Sequence, residues 1–134
     1  METYKKNMEK TKKILLVEDD TGFRKAISEC FEETEFLIVS AVDGEDGLAK
    51  IKEENPDLIL LDILLPKLDG VEMARKLREA GDKTPIIFLT NVKNDDRISE
   101  AMEVTQAQAD YIVKTDVSVK DIIDRIRKRL NPTK

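Results

Sequence analysis

The sequence contains no histidine and no tryptophan, one cysteine, four prolines, five glycines, and aromatic residues at only 4% of its 134 positions. Without histidine, no phosphohistidine can form on the chain and no imidazole can ligate a metal or a cobalamin. A single cysteine, Cys30, excludes an intramolecular disulfide and suits a reducing compartment. It falls with Phe23, Ile27, Phe31 and Thr34 at helical spacing, so it is expected to be a core or half-buried filler. No apolar run is long enough to span a membrane, and the lysine-rich start lacks the apolar segment of a signal peptide. A cytoplasmic protein without membrane contact is therefore expected. With so few aromatics the core must be built from Ile, Leu, Val, Ala and Met, as in a parallel sheet covered by helices.

Charge is abundant, at 38% of residues, and unevenly placed. Residues 1–13 carry five lysines against two glutamates, and residues 120–134 carry six basic against two acidic side chains, whereas 14–119 hold 24 acidic and 12 basic residues. An acidic body argues against direct nucleic-acid binding, whose affinity comes mainly from neutralising phosphates. The basic ends read as solvated segments, the second of them favourable to a helix C-terminus.

Four apolar runs each end in a polar group. Ile14-Leu15-Leu16-Val17 is followed by Glu18-Asp19-Asp20, and Leu58-Ile59-Leu60-Leu61 by Asp62. Pro85 to Leu89 leads to Thr90, and Tyr111-Ile112-Val113 to Lys114. Such runs read as strands buried on both faces, and open α/β sheets bind their ligands at the carboxyl ends of such strands.

Strand and helix patterns alternate five times after residue 11. Strands are predicted over 12–18, 36–41, 57–62, 85–90 and 110–114. Helices are predicted from about 21 to 34, 44 to 54, 69 to 80 and 95 to 107, and a last one bears Val119, Ile122, Ile123, Ile126 and Leu130. Asp20, Asp43 and Asp69 are candidate N-caps, Ser118 or Asp116 can start the fifth helix, and Asn55-Pro56 and Gly81 stop the second and third. Residues 1–11 lack periodicity and are expected to form a flexible or disordered lead-in to one domain over 12–134. Five β-α units of this size predict a right-handed, doubly wound parallel sheet with five flanking helices.

Glu18, Asp19 and Asp62 would then crowd together and repel one another unless a cation intervened. An all-oxygen ligand set suits Mg²⁺. With the charge offset, one carboxylate can attack phosphorus; Asp62 is the candidate nucleophile, Lys114 the ammonium and Thr90 a hydroxyl donor to a phosphoryl oxygen.

These residues, with the segments ILLVEDD, DGEDGL, PDLILLDILLPKLDG, PIIFLT and ADYIVK, resemble the receiver domain of two-component response regulators over about residues 12–130. The resemblance implies a flavodoxin-like sheet of order 2-1-3-4-5. It further implies Asp62 as phosphoacceptor, catalytic support from Thr90 and Lys114, and Mg²⁺ held by Glu18, Asp19, Asp62 and the Leu64 carbonyl. Thr90 and Tyr111 would be the switch pair. The implied partners are a sensor histidine kinase or histidine phosphotransfer protein and a downstream protein target, with a possible homodimer on phosphorylation. Such a single-domain receiver is a signalling switch with modest autocatalytic uptake and loss of the phosphoryl group. The alternative is a pseudo-receiver that keeps the fold as an interaction module without phosphorylation.

Three positions depart from the family pattern. Thr115 stands where proline usually follows a cis bond, and a cis bond before a non-proline costs about 2.5–4 kcal/mol, so a trans Lys114–Thr115 bond is expected. Asn91 replaces a small residue beside Thr90. The stretch 103–110 is about two residues longer than usual and lacks its glycine. Other classes fit less well: Leu64 stands where a haloacid-dehalogenase-like phosphatase or a toprim-like nuclease needs a second Asp, and Glu18-Asp19-Asp20 would repel a flavin phosphate.

Overall fold

The computed structural model describes residues 10–91, 96–106 and 108–131. The strands are β1 (Lys12–Val17), β2 (Phe36–Ala41), β3 (Leu58–Asp62), β4 (Ile86–Thr90) and β5 (Asp110–Val113). They alternate with α1 (Thr21–Phe31), α2 (Gly44–Glu54), α3 (Gly70–Glu79), α4 (Asp96–Val104) and α5 (Val119–Leu130), and a short 3₁₀ turn at Lys114–Asp116 follows β5. All strand pairs are parallel and the order is β2-β1-β3-β4-β5, as the resemblance implied.

The near-continuous apolar strands are explained by the two layers that cover them. Leu15, Val17, Ile59, Leu61 and Phe88 face α2, α3 and α4. Leu16, Leu60, Leu89 and Ile112 point the other way, onto Ile27 of α1 and Ile122 of α5. Strands β1, β3 and β4 are buried without interruption from Ile14 to Val17, Leu58 to Asp62 and Ile86 to Thr90. Alternating side chains of one strand thus enter two different cores.

The capping residues act where the sequence placed them. The side chains of Asp20, Asp43, Asp69 and Ser118 accept from the backbone N–H groups of Phe23, Asp46, Glu72 and Asp121, and Asp121 returns a bond to Ser118 N–H to complete a capping box. Asn55 ends α2 in the left-handed region at φ 51°, and Gly81 follows α3 at φ 85°.

Four expectations need correction. The first helix stops at Phe31 instead of 34, because Thr34 turns back: its Oγ1 donates to Phe31 O at 2.7 Å and accepts from Phe36 N at 3.2 Å. The fourth helix ends at Val104, where the Thr105 hydroxyl bonds Ala101 O at 2.9 Å and Gln106 adopts φ 55°. Gln106 thus takes the left-handed position for which the sequence offers no glycine; positions 95 and 107 of the expected helix lie outside the described residues. Cys30 is exposed, since the buried stripe of α1 is centred on Ile27 and Phe31. Finally, Lys10 and Thr11 already belong to the domain: Lys10 Nζ donates to Glu32 O at 2.8 Å and Thr34 O at 2.6 Å, and Thr11 N donates to Glu35 O at 2.9 Å. The rest of the expected lead-in, 1–9, lies outside the described residues. No cis peptide bond occurs among the described residues, so Lys114–Thr115 is trans, as expected.

Candidate functional site

The carboxyl edge of the sheet gathers the acidic residues. Asp62 is the last residue of β3, the central strand, and Glu18 follows β1 directly, with its backbone N–H donating to Ala41 O at 3.0 Å. Both are buried, at 4% and 1% exposure, while Asp19 is exposed. One carboxylate oxygen from each of Glu18, Asp19 and Asp62 lies within 4.8 Å of the others.

Lys114, at the end of β5, crosses to this cluster. Its Nζ bonds Glu18 Oε1 and, at 3.1 Å, Asp62 Oδ2, and it stands 4.6 Å from the centroid of the Phe23 ring. Lys114 thus reaches the cluster with Thr115, not proline, after it. The remaining contacts come from backbone: Leu64 N–H donates to Asp62 Oδ1 at 3.3 Å, and Asp20 N–H donates to Glu18 Oε2 at 3.1 Å. Arg24 donates to the Glu18 carbonyl at 2.7 Å.

The electrostatics follow from this crowding. Burial pushes the Glu18 carboxyl up to about 7; the Lys114 bond offsets part of that rise, and the Asp62 charge adds to it. Burial pulls Lys114 down, but its bonds to Glu18 and its attraction to Asp62 outweigh this and hold it above its ordinary value. One ammonium does not balance three carboxylates, and an all-oxygen donor set of this size fits a hard divalent cation.

Thr90 ends β4 and is buried, with Leu89 paired to Asp62 and Thr90 itself paired to Val113. By strand alternation Thr90 and Phe88 share the α4 side of the sheet, and Tyr111, paired with Phe88, lies on that side too, 39% exposed. The structure therefore brings Glu18, Asp19, Asp62 and Lys114 into one cluster and sets Thr90 and Tyr111 diagonally on the adjoining face. Leu64 and Asn91 are exposed beside the cluster.

Sequence reasoning did not single out Gly70, whose α-carbon packs so close to the end of β3 that a Cβ there would lie 2.2 Å from Asp62 O. Its signal was the Asp-Gly pair at an N-cap. Phe23 and Arg24 were also missed as parts of the site, because apolar and basic residues in a helix's first turn are common.

A doubly wound sheet with a buried acidic cluster and one lysine at its carboxyl edge defines a class in which phosphate and divalent-cation chemistry is centred at strand ends. Residues 14–127 match the response regulator receiver domain, and the chain belongs to this family. It is a receiver domain of two-component signalling. Among curated relatives, the transcriptional regulatory protein AfsQ1 of Streptomyces coelicolor is 41% identical over 101 residues, 75% of this chain and 44% of the relative. The response regulator MprA of Mycobacterium ulcerans is 33% identical over 122 residues, 91% of this chain and 51% of the relative. The chain thus spans about half the length of these curated relatives. Among solved structures, the Francisella response regulator 1452 receiver domain superposes with TM-score 0.81 at 29% identity, over 92% of this chain and all of that one. A CheY-like receiver domain protein of Methanospirillum hungatei gives TM-score 0.80 at 29% identity, covering 90% of this chain and 94% of its own. No described helix is long and apolar enough to cross a membrane.

Proposed function

We propose that Asp62 accepts a phosphoryl group from the phosphohistidine of a sensor histidine kinase or histidine phosphotransfer protein, and that the modified protein binds a downstream protein target through an altered surface. The observation that carries this reading is the Asp62 carboxylate itself, buried at the end of the central strand yet bonded to Lys114 and crowded by Glu18 and Asp19. Three carboxylates that share one ammonium leave negative charge unbalanced at this edge, which is costly where it is buried, so the arrangement calls for a ligand that uses it.

In the transfer, a bond forms between an Asp62 carboxylate oxygen and phosphorus as the P–N bond to the donor imidazole breaks. The imidazole leaves with the electron pair and takes a proton from solvent. Glu18, Asp19, Asp62 and the Leu64 carbonyl would hold Mg²⁺, which when bound offsets the negative charge of the phosphoryl oxygens. Lys114, which bonds Asp62, would pair with one phosphoryl oxygen, and Thr90 would donate its hydroxyl to another. Thr90 drawn toward the new group would free space for Tyr111 on the same face of the sheet, shifting the surface of α4, β5 and α5 on which a partner or a second copy docks. A histidine-kinase donor and the lone cysteine both suit a cytoplasmic setting. Binding to nucleic acid is not part of the reading for this acidic chain.

The test is incubation with acetyl phosphate and Mg²⁺, followed by intact mass. One phosphoryl group is expected on the wild type and none without Mg²⁺. A folded wild type that gains none would instead be an interaction module that works without phosphorylation.

A further inference from the structure

We propose that Phe23 is a positioning residue for Lys114, its ring face holding the ammonium where a phosphoryl oxygen arrives. The inference rests on the reading of Asp62 as phosphoacceptor and adds a residue that no motif of the site contains.

The Lys114 side chain is only 10% exposed, and its Nζ lies 4.6 Å from the Phe23 ring centroid, within the range at which a ring face attracts a cation. The turn that carries the ring is tied down by three hydrogen bonds. The Phe23 backbone N–H is capped by Asp20 Oδ1 at 3.1 Å, Asp20 N–H bonds the Glu18 carboxylate at 3.1 Å, and Arg24, the next residue, reaches the Glu18 carbonyl at 2.7 Å. The first turn of α1, which carries the ring, is therefore fixed relative to Glu18, and through it relative to the whole cluster. On its inner side Phe23 packs against the core shared by α1, α5 and the sheet.

The value of this partner lies in what stays constant. The other two partners of Lys114 are the carboxylates of Glu18 and Asp62, and both change when Asp62 is modified or a cation draws on their oxygens. A ring face has no proton to exchange and offers no oxygen ligand to a hydrated divalent cation, so its hold on the ammonium does not depend on those states. Lysine has a long flexible stem and three rotatable donors, and an ammonium without a fixed partner would spread over many rotamers. Leucine or methionine at position 23 would still cover the lysine stem but would lack the negative ring face.

The experiment compares wild type with Phe23→Leu, Phe23→Met and Phe23→Tyr, in both the Lys114 and Lys114→Met backgrounds. It measures the rate of phosphoryl uptake from acetyl phosphate with Mg²⁺, and the NMR shifts of the Lys114 ε-methylene protons with and without beryllofluoride. Uptake should slow about fivefold in Phe23→Leu and Phe23→Met and recover in Phe23→Tyr, with no further loss from Phe23→Leu once Lys114 is Met. The ε-methylene protons should show an upfield ring shift in wild type and Phe23→Tyr that persists with beryllofluoride and disappears in Phe23→Leu. Wild-type uptake by folded Phe23→Leu and Phe23→Met, or equal slowing by Phe23→Leu in both backgrounds, overturns the proposal. Unshifted methylene protons in a wild type that does take up phosphoryl overturn it as well. A wild type that shows the ring shift but takes up no phosphoryl overturns the phosphoacceptor reading instead and leaves the stacking standing.

Discussion

Asp62 concentrates the conflict on which the site is built, because one buried carboxylate shares Lys114 with a second, Glu18. Asp62→Asn removes the proposed nucleophile and one of the crowded charges. It should take up no phosphoryl group from acetyl phosphate and melt at the same temperature as wild type or higher; a stable adduct at unit stoichiometry would rule out Asp62 as acceptor. Glu18 gives the pH dependence. Its carboxyl is raised by burial from an unfolded value near 4.5 to about 7, so the folded chain holds this proton more tightly than the unfolded one. That contribution to stability is present below 4.5 and is lost as pH rises through about 7. A divalent cation held as proposed would compete for the same oxygens. The rise in Tm produced by millimolar Mg²⁺ should therefore be larger at about pH 8 than at about pH 6, and Asp19→Ala should remove most of it. A Tm gain independent of pH and of Asp19 would place the metal elsewhere.

The helices hold the site from outside it. The start of α3 lies against the end of β3 because Gly70 has no side chain: its N–H bonds Ile63 O at 2.8 Å, and a Cβ would meet Asp62 O at 2.2 Å. Gly70→Ala must push helix and strand apart. A loss of about 1–3 kcal/mol in chemical denaturation is expected, with slower phosphoryl uptake because the Asp62 backbone moves. Unchanged stability would mean the α3 start can shift freely. Helix starts were readable because Asp, Ser and the residues after them satisfy donors locally. The ends of α1 and α4 were not, since Thr34 and Thr105 close them with hydroxyl bonds that a helical pattern does not announce.

Across the whole molecule, ion pairs join α3 to α4 and α5 to β5. Arg97 of α4 pairs with the α3 cap Asp69 at 2.7 Å and with Glu100 at 3.0 Å, and Arg75 of α3 reaches Glu100 at 3.2 Å. On the far side Arg125 of α5 pairs with Asp110 of β5 at 2.5 Å. A change at Asp62 thus has bonded routes to α4 through the start of α3, beside the Thr90–Tyr111 face. With beryllofluoride and Mg²⁺, amide exchange should change around Asp62 and also across β4, α4 and β5. Changes confined to the neighbourhood of Asp62 would uncouple that face from the site.

The sequence by itself determined the class of fold, the strand and helix succession and the acidic candidates. Apolar runs that end in Glu18, Asp62, Thr90 and Lys114 have few ways to be buried other than in one parallel sheet, and period and caps act over a few residues. Only the tertiary structure decided which of these groups touch. That Lys114 spans to Glu18 and Asp62, that Phe23 lies beneath its ammonium, that Cys30 faces solvent and that Thr90 lies on the opposite side of the sheet from the Leu60 core all depend on packing between distant segments. Sequence periodicity identifies the apolar stripe of an element. The angle at which that stripe meets its neighbours, and hence which residues at its margin face each other, is settled only when the elements close on one core.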